Sequence, residues 1–184
     1  MANLIVISGD LAAGKSTLAA SLSQELNIVY LTKDSLKEIA CDAIGYSTRE
    51  ENRQLSITAI DSMIYFFHQC ALVDKSLILE ANFRQDELLR IKEIADEYHY
   101  QVQLIVLTGD INLLYQRFLD RLVDRHIAHR SLNLDYSIER FASYINEIRN
   151  QDLIFPAYTI DMTDLDEEEV TEKALSIIHQ ELGI

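Results

Sequence analysis

The sequence predicts a three-layer α/β fold, a parallel β-sheet with helices on both faces. Two observations carry this. Apolar runs of strand length alternate with helical patterns along all 184 residues. Those runs are apolar at nearly every position, as expected of strands buried on both faces, which is how parallel sheets are built. A third observation places a ligand in that fold. Residues 8–17 read SGDLAAGKST, and Gly9, Gly14, Lys15 and Ser16 complete the phosphate-binding pattern G-x-x-x-x-G-K-[ST].

The strands are expected at 4–7, 28–31, 77–79, 102–107 and 158–160. Helices are expected at 15–26, 35–43, 48–73, 86–98, 111–125, 137–150 and 167–182. There is no internal repeat, low-complexity tract or linker. A composition that is 48% hydrophobic with a single proline and five glycines suits one ordered core, so residues 1–184 are expected to form a single domain. The net charge of −14 repels nucleic acid and anionic membranes, which weighs against a polynucleotide substrate but not against a small phosphorylated one. Cys41 and Cys70 lack metal-ligand spacing and are expected to be buried free thiols in a reducing compartment. The chain starts on a core strand rather than a signal peptide, and no apolar run approaches 18 residues. A cytoplasmic protein, monomeric or homodimeric and away from the membrane, is the expectation.

The loop comes first in order and in importance. It follows an apolar strand and leads into a helix with Leu18, Leu22 and Leu26 on one face. Successive backbone N–H groups from Asp10, Leu11, Ala12, Ala13 and Thr17 form an anion nest with the helix N-terminus behind it. Gly9 and Gly14 allow backbone angles and approaches that a Cβ blocks. Lys15 is expected to reach the outer phosphates of a nucleoside triphosphate, and the Ser16 hydroxyl to ligate Mg²⁺.

Ligands in such sheets bind outside the carboxyl ends of the strands. After the second strand come Lys33, Asp34 and Lys37. Asp34 there is either a base toward a substrate hydroxyl or the cap of the next helix. The two lysines meet an anionic substrate or are ordinary surface lysines. After the third strand come Glu80 and Asn82. Glu80 stands where a carboxylate near Mg²⁺ is expected, and Asn82 where substrate or phosphate is met; the alternative is an ordinary strand-to-helix turn.

The stretch 48–73 reads as core, with Leu55, Ala59, Met63, Phe66, Phe67 and Cys70 at helical spacing. His68 is expected to be packed there, and Arg49 and Arg53 to lie on solvated surface. The stretch 115–130, YQRFLDRLVDRHIAHR, is more informative. Arg117, Arg121 and Arg125 fall at i, i+4 and i+8, along one side of a helix, and Arg130 follows. Guanidinium forks suit phosphate oxygens, so a catalytic lid over about 117–133 is expected. A salt-bridged surface helix is the alternative, since Asp120 and Asp124 each precede an arginine. His126 and His129 have no evident third partner for a metal. The acidic run 164–169 suits the start of the last helix, where carboxylates complement the dipole. The turn at 161–164 is placed to border a nucleotide base.

Four blocks, GDLAAGKST, KDSLK, LILEANF and LYQRFLDR followed by RHIAH, resemble the small P-loop kinases grouped around polynucleotide kinase, chloramphenicol phosphotransferase and the zeta-toxin kinases. The resemblance spans most of the chain and is weakest over 48–73. It implies a P-loop NTPase fold with a five-stranded sheet of order 2-3-1-4-5 and a helical lid. It assigns the general base to Asp34, a substrate-phosphate contact to Lys37, the acid ending the third strand to Glu80, and lid arginines to Arg117 and Arg121. Ala12 stands where many relatives carry glycine, and Lys37 where polynucleotide kinases carry arginine.

Together these readings imply an ATP- and Mg²⁺-dependent kinase acting on a hydroxyl of a small molecule. Lys15, Asp34, Arg121 and Arg125 would be catalytic. Residues 9–17 and Arg117 would bind the nucleotide, Lys37, Glu80 and Asn82 the substrate, and Ser16 with Glu80 the metal. Two other functions share the motif: a 5′-hydroxyl polynucleotide kinase, and a non-catalytic ATP-binding regulatory module.

Overall fold

A computed structural model describes residues 2–129 and 137–183. Its centre is a five-stranded, all-parallel sheet in the order β2-β3-β1-β4-β5. The strands are β1 (Asn3–Gly9), β2 (Tyr30–Thr32), β3 (Leu77–Glu80), β4 (Gln101–Thr108) and β5 (Ala157–Asp161). Among the described residues seven α-helices surround them: α1 (Lys15–Leu26), α2 (Lys33–Ile44), α3 (Arg49–Ala71), α4 (Gln85–Glu97), α5 (Ile111–Arg121), α6 (Ile138–Arg149) and α7 (Glu167–Leu182).

Strand alternation divides the core in two. Leu4, Val6, Leu77 and Leu79 face α3 and α4, packing on Met63, Phe67 and Ile91. Ile5, Ile7 and Ile78 face the other way, onto Leu18 and Leu22 of α1, Ile145 of α6 and Ile178 of α7. β1 and β3 are buried at every residue, as their apolar runs predict. The edge strands β2 and β5 are partly exposed. Phe67 is fully buried and meets Tyr100 edge-on, with ring centroids 5.1 Å apart. Its burial contributes about 1.5–3 kcal/mol.

Register positions the site. Ile7 pairs with Glu80, Glu80 with Thr32, and Thr108 with Asp161, so the carboxyl ends of the strands open along one edge of the sheet. The helices that start there are capped locally. Thr32 caps α2 by accepting from the Ser35 N–H at 3.2 Å. Thr48 and Glu51 form a reciprocal capping box on α3, and Asp166 and Glu169 do the same on α7. The acidic run 164–169 is thus accounted for by its helix. By contrast α1 starts at Gly14 with no side-chain cap, which leaves its first N–H groups available to an anion.

The helix expected over 111–125 ends at Arg121. Arg125 therefore does not continue the helical row of Arg117 and Arg121. The cause is tertiary. The chain turns at 122–124 and passes over α2 as a single 3₁₀ turn, Ile127–His129, which a straight helix would carry away from α2. Arg130 and the rest of the expected lid to 133 lie outside the described residues. Cys41 is buried and Cys70 half-buried, both as free thiols. No helix among the described residues is long and apolar enough to cross a membrane.

Candidate active site

The loop between β1 and α1 is shaped by three residues at positive φ. Gly9 has φ +124°, and a Cβ there would stand 2.1 Å from the Leu107 carbonyl oxygen of β4. Gly14 has φ +85° with open space around it. Ala12 is held at φ +61°, the left-handed region where glycine is unstrained. Lys15 folds back over the loop and donates to the carbonyls of Gly9, at 3.2 Å, and Asp10, at 2.5 Å. Burial pushes the Lys15 amine below the usual lysine range, and the carboxylates of Glu80, Asp34 and Asp10 oppose that.

Leu11, Ala12, Ala13, Gly14, Lys15, Ser16 and Thr17 line a cleft of about 480 Å³. Gly9 and Asp10 do not. The Asp10 side chain turns inward, is fully buried, and binds Arg149 of α6 and the Gly109 N–H. Nothing in the sequence links residues 10 and 149, so spacing gives no sign of this contact.

Across the cleft, the Ser16 hydroxyl donates to Glu80 Oε2 at 2.9 Å. Glu80 is buried, which raises its carboxyl above the usual range; Lys15 and the Ser16 hydrogen bond partly offset this. Two residues on, the buried Asn82 Oδ1 has no partner among the described residues. Tyr144 lines the same cleft. A buried carbonyl oxygen without a donor is costly.

Asp34 lies in the first turn of α2 but does not cap it, since Thr32 does. Its carboxylate is half exposed on the cleft wall, 3.8 Å from an Arg125 guanidinium nitrogen and 3.8 Å from His129 Nδ1. The segment carrying Arg125 is clamped to α2 and α3. The Ala128 carbonyl accepts from Lys37 Nζ at 2.8 Å and from Asn52 Nδ2 at 3.1 Å. Tyr46 donates to the Ile127 carbonyl at 2.6 Å. His126 meets Asp42 at 3.0 Å and His129 meets Glu38 at 2.9 Å. The two histidines thus serve carboxylates of α2, and no cluster of three or more metal-binding side chains occurs among the described residues. Lys37 is buried, with its amine pushed down by burial and by Lys33.

Arg121 and Arg125 line the main cleft. Arg117 does not. It donates to the Met162 sulfur at 3.3 Å and lines an adjoining hollow with Gly14, Thr17, Met162 and Leu165. That hollow lies between the loop and the turn after β5, with an apolar floor and a guanidinium at its side. His68 is packed on Tyr98, as expected. Arg49 and Arg53 are exposed, as expected, and also line the rim of the main cleft, because α3 starts beside it.

A parallel sheet of order 2-3-1-4-5 with a glycine loop cradling a lysine between β1 and α1 defines the P-loop kinase-like class. Within that class the chain belongs to the zeta toxin family, whose model matches residues 2–170. It is similar in structure to a candidate kinase from Chloroflexus aurantiacus, with TM-score 0.81 and 27% identity over 95% of this chain and 97% of that one. A gluconokinase from Sinorhizobium meliloti shares the fold, with TM-score 0.63 and 12% identity over 97% and 92% of the two chains. So does the tunicamycin resistance protein of Deinococcus radiodurans, with TM-score 0.61 and 17% identity over 97% and 96%. No curated protein matches the chain.

Proposed function

We propose that the protein is an ATP-dependent phosphotransferase that moves the γ-phosphate to a hydroxyl of a small-molecule acceptor. The observation that carries this is the placement of Asp34. A carboxylate that caps nothing stands on the wall of the cleft that Lys15 and the Ser16–Glu80 pair also line. A nucleotide-binding module that only switches has no need of it. The similarity to a candidate kinase at 27% identity supports the same reading.

The residues fit the donor. The uncapped start of α1 and the left-handed turns of the loop present N–H groups to phosphates, and Lys15 meets their charge. Ser16 and Glu80 would supply two hard oxygens to Mg²⁺, which prefers few protein ligands alongside phosphate and water. When bound, Mg²⁺ neutralises charge on the phosphates. The hollow beside Arg117 and Met162 takes the base. Asp34 accepts the acceptor's hydroxyl proton. The acceptor oxygen forms a bond to the γ-phosphorus, the bond from that phosphorus to the β–γ bridging oxygen breaks, and ADP leaves. Arg121 and Arg125 stabilise charge on the moving phosphoryl group.

The test is a screen of hydroxyl-bearing metabolites and antibiotics for acceptor-dependent ADP release, repeated with Asp34→Asn. That variant should bind ATP normally and lose about 10²- to 10⁴-fold in transfer. Transfer at the wild-type rate would overturn the assignment.

A further inference from the structure

His126 and His129 lie close together on the segment after α5, yet they face different partners. In His126, Nδ1 accepts from the Ala128 N–H at 3.1 Å and Nε2 meets the exposed Asp42 at 3.0 Å. Both of its ring nitrogens are engaged away from Asp34. In His129, Nε2 meets Glu38 Oε1 at 2.9 Å, while Nδ1 stands 3.8 Å from Asp34 Oδ1. The His129 side chain is only 7% exposed. A carboxylate only accepts, so in neutral His129 the ring hydrogen sits on Nε2 and the Nδ1 lone pair faces Asp34.

Asp34 is approached on both oxygens. Oδ1 faces His129, and Oδ2 lies 3.8 Å from an Arg125 guanidinium nitrogen. An ionised Asp34 and an unprotonated Nδ1 share no hydrogen, which accounts for a gap wider than the ~3 Å of a hydrogen bond. A proton arriving on Oδ1 supplies that hydrogen. The half-exposed Asp34 side chain is then the partner that moves. His129 is held by Glu38 and by its own N–H, which donates to the His126 carbonyl at 3.0 Å.

We propose that His129 is a positioning residue that acts through Asp34, taking onto Nδ1 the proton that Asp34 removes from the acceptor hydroxyl. The proposal rests on the kinase reading for the source of that proton. The acceptor O–H bond breaks as an Asp34 Oδ1–H bond forms. The proton then passes to Nδ1, which returns Asp34 to its carboxylate and makes His129 an imidazolium between Asp34 and Glu38. When the product has left, the proton goes back through the half-exposed Asp34 to water.

Imidazole, with an ordinary pKa of about 6.5, is a stronger base than a carboxylate at about 3.9, so Asp34 does not hold the proton alone. Burial pushes the His129 ring below the usual histidine range; Arg125 and Lys37 act in the same direction, and Asp34 and Glu38 oppose them. The ring is therefore unprotonated at neutral pH and ready to accept. The charged groups facing it are Asp34, Lys37 and Glu38 from α2, and Arg125 and His126 from its own segment. Asp120, Arg121 and Asp124 border the hollow it shares with them.

The first arm of the test needs no acceptor. In protein labelled with ring-¹⁵N histidine, the His129 signals, identified by their loss in His129→Gln, should show the Nε2–H tautomer above the ring's pKa. Asp34→Asn should lower that pKa by about one unit, because the carboxylate that favours the imidazolium is gone. An Nδ1–H tautomer, or the same pKa in both proteins, overturns the proposal. The second arm uses the acceptor found by ADP release. His129→Gln keeps an N–H for Glu38 but has no basic nitrogen for Asp34. At saturating Mg²⁺-ATP its kcat should fall about tenfold or more, with the KM values for ATP and acceptor little changed. Wild-type kcat should fall as pH drops through the His129 pKa seen by NMR, since an imidazolium cannot accept. That limb should be absent in His129→Gln and present in the control His126→Gln. Wild-type kcat in His129→Gln, or an intact limb, overturns the proposal. If no compound is phosphorylated, the kinase reading itself fails, an outcome distinct from an active enzyme indifferent to His129.

Discussion

The Arg149 guanidinium grips both oxygens of the fully buried Asp10 carboxylate, with Nε 3.2 Å from each and Nη2 2.5 Å from Oδ2. The same Nη2 reaches the Gly109 carbonyl at 2.6 Å. One side chain at the end of α6 thus ties the phosphate loop to the start of the β4–α5 connection. Arg149→Met leaves the Asp10 charge buried and unpaired. Stability should fall by about 3 kcal/mol, the lower part of the range for broken buried pairs because Arg149 is itself a third exposed. Urea denaturation checks the value. Adding Asp10→Asn should restore most of it, because no buried charge then remains.

Gly9 and Gly14 are required for different reasons, so their alanine variants should differ. Gly9→Ala places a Cβ 2.1 Å from the backbone of β4, which must shift at the centre of the sheet. It should abolish soluble, folded protein. Gly14→Ala meets nothing within 4 Å and only forces a left-handed backbone, costing about 1–2 kcal/mol. Soluble yield, circular dichroism and denaturant midpoints distinguish the two.

The clamp on Ala128 should govern how often residues 122–129 lift away from α2. Lys37→Met with Asn52→Leu removes two donors from one buried carbonyl. A hydrogen bond of this kind contributes about 1–3 kcal/mol, and 1.4 kcal/mol is a tenfold change in the open population. Limited trypsin cleavage after Arg121 or Arg125 should therefore quicken at least tenfold, while cleavage elsewhere is unchanged. An unaltered rate would mean the clamp does not hold the segment.

Glu80 should place an acid limb on Mg²⁺-nucleotide binding. Burial holds its carboxyl above the ordinary range in the metal-free protein. A protonated Glu80 cannot ligate Mg²⁺, so binding weakens as pH falls through that raised pKa, above the usual ~4.3 for glutamate. Titrations of nucleotide binding across pH check this. In Glu80→Gln the acid limb should vanish, and the Mg²⁺ needed for half-maximal binding should rise about tenfold or more.

Much of this architecture was legible from periodicity and one motif. The bounds of α1 and α7 match their expected spans, because apolar spacing, an initiating Gly14 or Asp166 and a terminal Asn27 or Gly183 are local signals. Continuous apolar runs marked β1 and β3 because both faces of a central parallel strand are buried. Local spacing failed at Arg125, where the approach of Arg125 to Asp34 and the hydrogen bonds of Lys37 and Asn52 to the Ala128 carbonyl outweigh the helical pattern. Arg49 is exposed as its position on the helix suggests, but periodicity could not show that it also borders the cleft.

A parallel α/β fold and a phosphate-loop pattern could be read from the chain, since both depend on residues close in sequence. The folded chain shows what local pattern could not: Thr32 rather than Asp34 caps α2, Arg149 neutralises Asp10, and Lys33, Arg49 and Arg84 line one cleft. Those relationships join residues up to 139 positions apart. They depend on sheet order and strand register, which bring the carboxyl ends of β1, β2 and β3 and the helices behind them to a single edge.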